Sequence, residues 1–157
     1  MSKPRSTLPN PVESVANLTS ALAQIGAEVD NQPLRSSALA RIMRETFQGS
    51  DAGGAWDWRM AYDLMQAAAV QALLRGDNSE DDYFAAKLLA SRLLTETRRS
   101  EQQIRLQQFS TPLPFAAMAV RAAAIRKGET VLEPSAGTGA LAAFAARAGA
   151  TLLLNEI

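Results

Sequence analysis

The chain has 157 residues, balances 16 Lys and Arg against 16 Asp and Glu, and contains no histidine and no cysteine. This composition excludes Ser-His-Asp and Cys-His catalysis, zinc sites built from Cys and His ligands, and disulfide bonds. A 47% apolar content with 6% aromatic residues and 30 alanines indicates a helix-rich globular protein.

The zero net charge gives no general attraction to nucleic acid or to membranes. No apolar run approaches the roughly 20 residues that a membrane span needs. Residues 1–9 carry positive charge without an apolar segment behind it, unlike a signal peptide. We therefore expect a flexible arm over 1–9, no membrane partner and a cytoplasmic location.

Residues 10–98 carry the signals of an α-helical module. Asn10 as N-cap and Pro11 at the first helical position begin the first helix, and Gly26 is expected to end it. A loop is predicted at 48–54, where glycines and polar residues cluster. Apolar spacing and the breaks between segments predict four helices. The first three lie at about 10–26, 33–47 and 55–74, and the fourth begins after its cap, Ser79, and runs to about residue 98.

Two clusters in this module invite functional interpretations that we set aside. Trp56, Trp58, Tyr62 and Met65 follow a helical spacing, so they are predicted to form core and not a base-stacking surface. An acidic run resembles a metal site only superficially, because acids favour the start of a helix. The sequence therefore predicts no metal site from Asp77, Glu80, Asp81 and Asp82.

Residues 99–157 change in character from helices to an alternation of helix and strand. Pro112 and Pro114 exclude helix at 110–113 and allow a helix that runs from Pro114 past a basic end to Gly128. Strand, glycine-rich turn, helix and strand then follow, which is a βαβ unit with a parallel sheet. We predict these elements at 130–132, 133–139, 140–148 and 151–156.

The βαβ unit carries the predicted chemistry. Gly137 and Gly139 let the backbone approach a ligand, and the next helix directs its free amides to the same place. Glu156, at the end of the second strand, is placed to accept hydrogen bonds from a ribose. The segment also fits G-x-G-x-x-G/A, the dinucleotide fingerprint, so NAD(P) stays open. Glu133, however, favours a cationic ligand over a pyrophosphate.

The run Glu133-Pro134-Ser135-Ala136-Gly137-Thr138-Gly139 resembles motif I of class I S-adenosylmethionine-dependent methyltransferases, and most closely the amino-group DNA methyltransferases. Phe109-Ser110-Thr111-Pro112 resembles a second motif of the adenine-N6 enzymes, which lies over the methionine part of the cofactor. The resemblance implies that S-adenosylmethionine is bound by Phe109, Thr111, Pro112, residues 133–139 and, through its ribose, Glu156.

A wider resemblance concerns residues 50–58 and 98–112, which look like the N-terminal region of strawberry notch-like methylase/helicase proteins of bacteria and phages. It implies a helicase domain later in the same polypeptide. We therefore expect the fold to be mainly α, with a helical module at 10–98 and the first βαβ portion of a Rossmann-like methyltransferase domain at 99–157.

The sequence departs from that family at the catalytic loop. Amino-group methyltransferases hold the target nitrogen with a Pro-Pro-Tyr/Phe loop, and this chain has no Pro-Pro pair. We therefore expect an N-terminal fragment of a longer enzyme, without catalytic residues or activity of its own. Its parent is expected to methylate adenine N6 in DNA.

Two alternatives remain. The first is an NAD(P)-dependent oxidoreductase fragment. The second is a non-catalytic DNA-binding or scaffold module of a methylase/helicase. It would use the basic stretch 98–127, where six cations outnumber Glu101. The DNA contacts would then include Arg98, Arg99 and Arg105, although a solvated helix face explains the same charges.

Overall fold

The computed structural model describes residues 11–76, 81–97 and 110–156, with side chains from residue 13 onward. Within these residues the chain is mainly helical, with a small parallel sheet of two strands. Among the described helices, none combines the length and the apolar character that crossing a membrane requires. The elements are α1 (Pro11–Asn31), α2 (Ser36–Thr46), α3 (Trp58–Arg75), α4 (Asp82–Arg92), α5 (Leu113–Ala122), β1 (Thr130–Glu133), α6 (Ala140–Arg147) and β2 (Thr151–Leu154).

Helix α1 is longer than the sequence predicts. Gly26 was expected to end it, but the helix continues to Asn31, and Gly26 lies buried within it. The apolar face also continues, because Ile25 and Val29 are both fully buried. Burial of that face outweighs the roughly 1 kcal/mol by which glycine disfavours a helix interior.

Helices α2 and α3 confirm the predicted core. Leu39, Ile42 and Met43 form the buried side of α2. Helix α3 begins after Asp57, whose carboxylate accepts a hydrogen bond from the backbone of Met60 at 2.7 Å. The aromatic residues at this end and Met65 belong to the core, as predicted: Trp56, Tyr62 and Met65 are buried and Trp58 is half-buried.

Helix α4 is shorter than predicted, because it ends at Arg92 and not near residue 98. The next residue, Leu93, is extended, and the guanidinium of Arg92 donates to the carbonyls of Val29 and Asp30 at the end of α1. These bonds satisfy carbonyls that a helix end leaves unpaired. The predicted caps Asn10 and Ser79 lie outside the described residues, and Asp81 caps α4.

Helix α5 also ends early, at Ala122 instead of before Gly128. Ala124 adopts a φ of 50°, and its N–H bonds the carbonyl of Arg121, so a left-handed residue closes the helix. Met118, on this helix, is 52% exposed. The helix begins at Leu113, one residue before the predicted start.

The predicted parallel pairing of β1 and β2 is confirmed, with Thr130 opposite Thr151 and Glu133 opposite Leu154. Helix α6 joins the strands and packs against α3 and α5. Buried residues form one continuous core from α1 to α6. The predicted division at 98 and 99 falls outside the described residues and stays a prediction, as does the arm at 1–9.

Arg147, at the end of α6, ties the βαβ unit to the helices. Its side chain is 4% exposed, and its Nε donates to an Asp82 carboxylate oxygen at 2.8 Å. Another guanidinium nitrogen donates to the carbonyls of Leu73 and Gly76 at 2.8 and 3.1 Å. One cation therefore binds both the C-terminal end of α3 and the first turn of α4, where it complements the carbonyls of a helix end.

Candidate functional site

The glycine turn (residues 133–139) follows β1 and leads into α6. Gly137 and Gly139 have φ angles of 51° and 88°, which glycine adopts without steric cost. The N–H of Gly139 bonds the carbonyl of Ala136 at 2.8 Å, closing the turn. Gly139 is also the N-cap of α6 and gives it no side-chain cap, so the first amides of the helix face this turn.

Hydrogen bonds hold the glycine turn against the end of β2. The N–H of Asn155 donates to the carbonyl of Glu133, and the N–H of Ala136 donates to the carbonyl of Asn155, both at 2.9 Å. The side-chain amide of Asn155 donates to the carbonyl of Pro134 at 3.1 Å. Asn155, which sequence reasoning did not single out, follows β2, which ends at Leu154 and not at residue 156 as predicted, and it fixes the turn next to Glu156.

Two carboxylates lie on the glycine turn. Glu156 accepts a hydrogen bond from the N–H of Gly137 at 2.7 Å, and Glu133 accepts one from the N–H of Ser135 at 3.1 Å. The structure therefore brings together both acids and the glycine loop that the sequence singled out. Among the described residues, neither acid has an ion-pair partner. Within the described part of the chain, the negative charge of the turn therefore has no cation paired with it.

The two glycines face different surroundings. A Cβ at Gly139 would come within 3.9 Å of Val70, so α3 lines this side of the turn. If Gly137 carried a Cβ, no described residue beyond its two chain neighbours would lie within 4 Å of it, so the described structure leaves the turn open there. This open side, beside Glu156 and the start of α6, is where a ligand has room to approach the backbone.

The second predicted motif is only partly described. Phe109 lies outside the described residues, while Thr111 and Pro112 are exposed and Pro112 is the N-cap of α5. Neither residue has a hydrogen bond or ion pair with the glycine turn among the described residues. Pro112 and the half-buried Ser110 instead line a cavity with residues of α3 and of the segment after α4.

That cavity contains residues that sequence reasoning missed. Gln66, on α3, donates its side-chain amide to Glu96 at 3.1 Å. Partial burial raises the pKa of the nearby Asp63, and the charges of Glu96 and Asp57 raise it further, against the lowering effect of Arg59. No local pattern pairs Gln66 with Glu96, because they are 30 residues apart and meet only through the tertiary fold.

Some residues of the predicted basic stretch and of the acidic run are described by the structure, and their contacts are structural. Arg98, Arg99 and Arg105 lie outside the described residues. Arg121 lies 3.7 Å from Asp81, which caps α4, and Asp82 pairs with Arg147. The described part of the chain holds no group of three or more acids that could bind a metal ion.

Known proteins offer no independent assignment of this site. Comparison of the chain with the models of known protein families, with curated proteins and with solved structures gave no match.

Proposed function

We propose that the chain binds S-adenosylmethionine at the glycine turn, as the cofactor-binding part of a class I methyltransferase. The observation that carries this proposal is the pair of carboxylates, Glu133 and Glu156, hydrogen-bonded to the turn without a cation among the described residues. Such a turn attracts a positively charged ligand. S-adenosylmethionine brings a sulfonium and an ammonium group, and its ribose supplies the hydroxyls that an acid after β2 can accept.

Specific roles follow for the residues of the turn. Each carboxylate oxygen has two acceptor positions, so Glu156 can keep its bond to Gly137 and still accept from ribose hydroxyls. The open space at Gly137 lets the ligand approach the backbone, while Gly139 gives close contact with α3. Glu133 adds negative charge on the side of the turn that follows β1.

The same geometry disfavours the dinucleotide alternative. A pyrophosphate at a glycine turn is bound by backbone N–H groups. At this turn the N–H of Gly137 already donates to Glu156 at 2.7 Å. A phosphate oxygen that took this N–H would lie beside a carboxylate of the same sign, and like charges at contact distance repel strongly.

The proposed substrate rests on the sequence resemblance of residues 109–112 (Phe109-Ser110-Thr111-Pro112) and 133–139 to the amino-group DNA methyltransferases. We extend the proposal to adenine N6 in DNA, with DNA as the partner of the polypeptide in which this site works. The likeness of residues 50–58 and 98–112 to strawberry notch-like proteins adds a helicase in that polypeptide. The chain itself has no Pro-Pro pair, so its proposed role is cofactor binding.

Calorimetric titration of the chain tests the proposal. We expect S-adenosylmethionine to bind and NAD not to bind. Glu156→Gln keeps an acceptor for the N–H of Gly137 but removes the charge, and should weaken binding tenfold or more, on the order of 1.5–3 kcal/mol. Glu45→Gln, at an exposed glutamate on α2, is the matched control and should leave the affinity unchanged.

Three results would count against the proposal. Binding of NAD without S-adenosylmethionine would favour an oxidoreductase. Absence of any binding of S-adenosylmethionine would remove the proposed function. Equal affinities in the two glutamate variants would remove Glu156 from the site.

A further inference from the structure

A cavity of about 280 Å³ lies between α3, the segment after α4 and the segment before α5. Among the described residues its polar lining comes from Gln66, Thr95, Glu96 and Ser110. The rest of the lining is apolar and includes leucines and Pro112. Small-molecule sites typically combine an apolar wall with a few polar groups, as here.

The polar lining offers acceptors. The side-chain amide of Gln66 donates to one carboxylate oxygen of Glu96 at 3.1 Å, and this bond orients both groups. The amide oxygen of Gln66 and the second oxygen of Glu96 have no partner among the described residues. The hydroxyl groups of Thr95 and Ser110 can accept as well. The cavity therefore suits a ligand that donates several hydrogen bonds.

The charges around the cavity favour a cation. Glu96 is the charged residue of the described lining, and Asp63 lies one turn from Gln66 on α3. Partial burial raises the pKa of Asp63, and the charge of Glu96 raises it further by repulsion between the two carboxylates. Arg59 lies 3.8 Å from Asp63 and offsets part of this charge, and Asp57 adds to it. A cation in the cavity would relieve the repulsion.

We propose that this cavity binds a primary ammonium group on a short apolar chain. An ammonium group donates three hydrogen bonds and accepts none, which matches Glu96, Gln66 and one of the two hydroxyls. The carbon chain fits against the leucines and Pro112. This site is additional to the ribose and glycine-turn contacts proposed above, and of its two possible sources of ammonium only the second rests on the proposed function.

Two sources could supply the ammonium group. One is a free small amine. The other is the amino-acid end of the ligand held at the glycine turn, because Gln66 lies one helical turn, roughly 5.4 Å, from Val70 on α3. The Cγ1 of Val70 would in turn lie 3.9 Å from a Cβ placed on Gly139. The cavity and the glycine turn are therefore neighbours along α3.

Titration with n-butylammonium chloride, followed by NMR at the Gln66 side-chain amide and the Ser110 backbone amide, tests the site. We expect saturable shifts with a dissociation constant on the order of millimolar. Glu96→Gln should weaken binding by about fivefold or more because it removes the charge. Glu45→Gln should not, and sodium butyrate should cause no saturable shift. Absence of saturation with n-butylammonium, or equal binding by the two variants, would overturn the proposal.

A second variant guards against a folding defect in Glu96→Gln. Gln66→Lys places a tethered ammonium beside Glu96, so it should abolish n-butylammonium binding while the chain keeps its helical circular dichroism. Retained binding in this folded variant would overturn the proposal.

Two nucleosides distinguish the sources. If the amino-acid end of S-adenosylmethionine occupies the cavity, Glu96→Gln weakens binding of S-adenosylmethionine but not of 5′-methylthioadenosine, which lacks that end. If the ligand is a free amine, Glu96→Gln weakens n-butylammonium alone. Failure of S-adenosylmethionine to bind removes the proposed function, whereas loss of the n-butylammonium response removes the ammonium site.

Discussion

The first helices and the βαβ unit bury different kinds of side chains. In α1, α2 and α3 the core contains Ile25, Ile42 and Met65, each at most 1% exposed. Helix α6 instead buries four alanines and one large residue, Phe144, and the strands leave Leu132 and Leu153 more than half exposed. Since large buried side chains make most of the dispersion contacts, the helices contribute the greater part of the core.

This difference separates the scaffold from the candidate site. The glycine turn belongs to the part with the smaller side chains, where alanines allow α6 to lie close to α3 and α5. The position of the turn then depends on a few strong contacts between α6 and the helices. Phe144 supplies apolar contact, and Arg147 supplies hydrogen bonds and charge.

Truncation of Phe144 should give the largest effect. The side chain is 1% exposed, and the substitution Phe144→Ala leaves a cavity in a region that has few other large residues. We expect the free energy of unfolding to fall by about 3–5 kcal/mol, measured by urea denaturation. Phe115→Ala is the control, because Phe115 is 64% exposed on α5 and should lose less than about 1 kcal/mol.

The outcome also tests whether the two regions form one cooperative unit. The buried residues from α1 to α6 form a single cluster, so the loss should appear in one transition that fluorescence and circular dichroism report alike. A separate early transition of the βαβ unit would show that the helices are stable without it. Equal losses in the two phenylalanine variants would show that Phe144 does not hold α6.

Loss of Arg147 should give the next largest effect. Arg147→Met keeps much of the apolar stem but removes the donors to Asp82, Leu73 and Gly76. Two carbonyls and a carboxylate then lose a charged partner, at a cost of about 2–4 kcal/mol in unfolding free energy. Because the Asp82 side chain is 41% exposed, we expect a smaller loss of unfolding free energy than for a fully buried ion pair.

Arg126→Met is the matched control for this prediction. Arg126 lies on the surface between α5 and β1, where its backbone N–H, and not its side chain, bonds Glu129. The control should change the unfolding free energy by less than about 0.5 kcal/mol. If the two methionine variants lost equal stability, the contacts of Arg147 would not be what holds the βαβ unit to the helices.

Local sequence patterns predicted the elements better than their ends. The strands, the glycine turn and the buried aromatic cluster around Trp56 were readable because period, turn residues and breakers are local signals. The ends of α1, α4 and α5 were wrong. Gly26 is held in a helix by a buried face, and α4 stops where Arg92 meets the end of α1, which no window of neighbouring residues reveals.

In the candidate site, too, some residues could be predicted from the sequence and others could not. Glu133, Gly137 and Glu156 were predicted to lie together, because the ends of parallel strands meet at one edge of a sheet. Arg147 was not predicted, since an arginine at the end of a helix normally lies in solvent. The Gln66 and Glu96 pair was missed for a related reason: its two halves are joined only by the fold.

The smallest predicted effect concerns a carboxylate in the helical part. Glu133 and Glu156 each accept a backbone N–H, whereas Asp63 has a raised pKa from partial burial and from the charges of Glu96 and Asp57. A raised pKa means that the folded state binds the proton more tightly than the unfolded state. Stability therefore falls as pH rises from the ordinary value of 3.8 through the folded pKa.

The substitution Asp63→Asn should remove this loss of stability at higher pH. We expect the variant to be more stable than the parent chain at neutral pH, by less than about 1 kcal/mol because the side chain is 53% exposed and pairs weakly with Arg59. Well below pH 3.8 the gain should vanish, since Asp63 is then protonated in both the folded and the unfolded state. In a Glu96→Gln background the gain at neutral pH should shrink, because one source of repulsion is gone. A gain that is the same at both pH values would contradict the assignment, and a gain unaffected by Glu96→Gln would show that the two carboxylates do not interact.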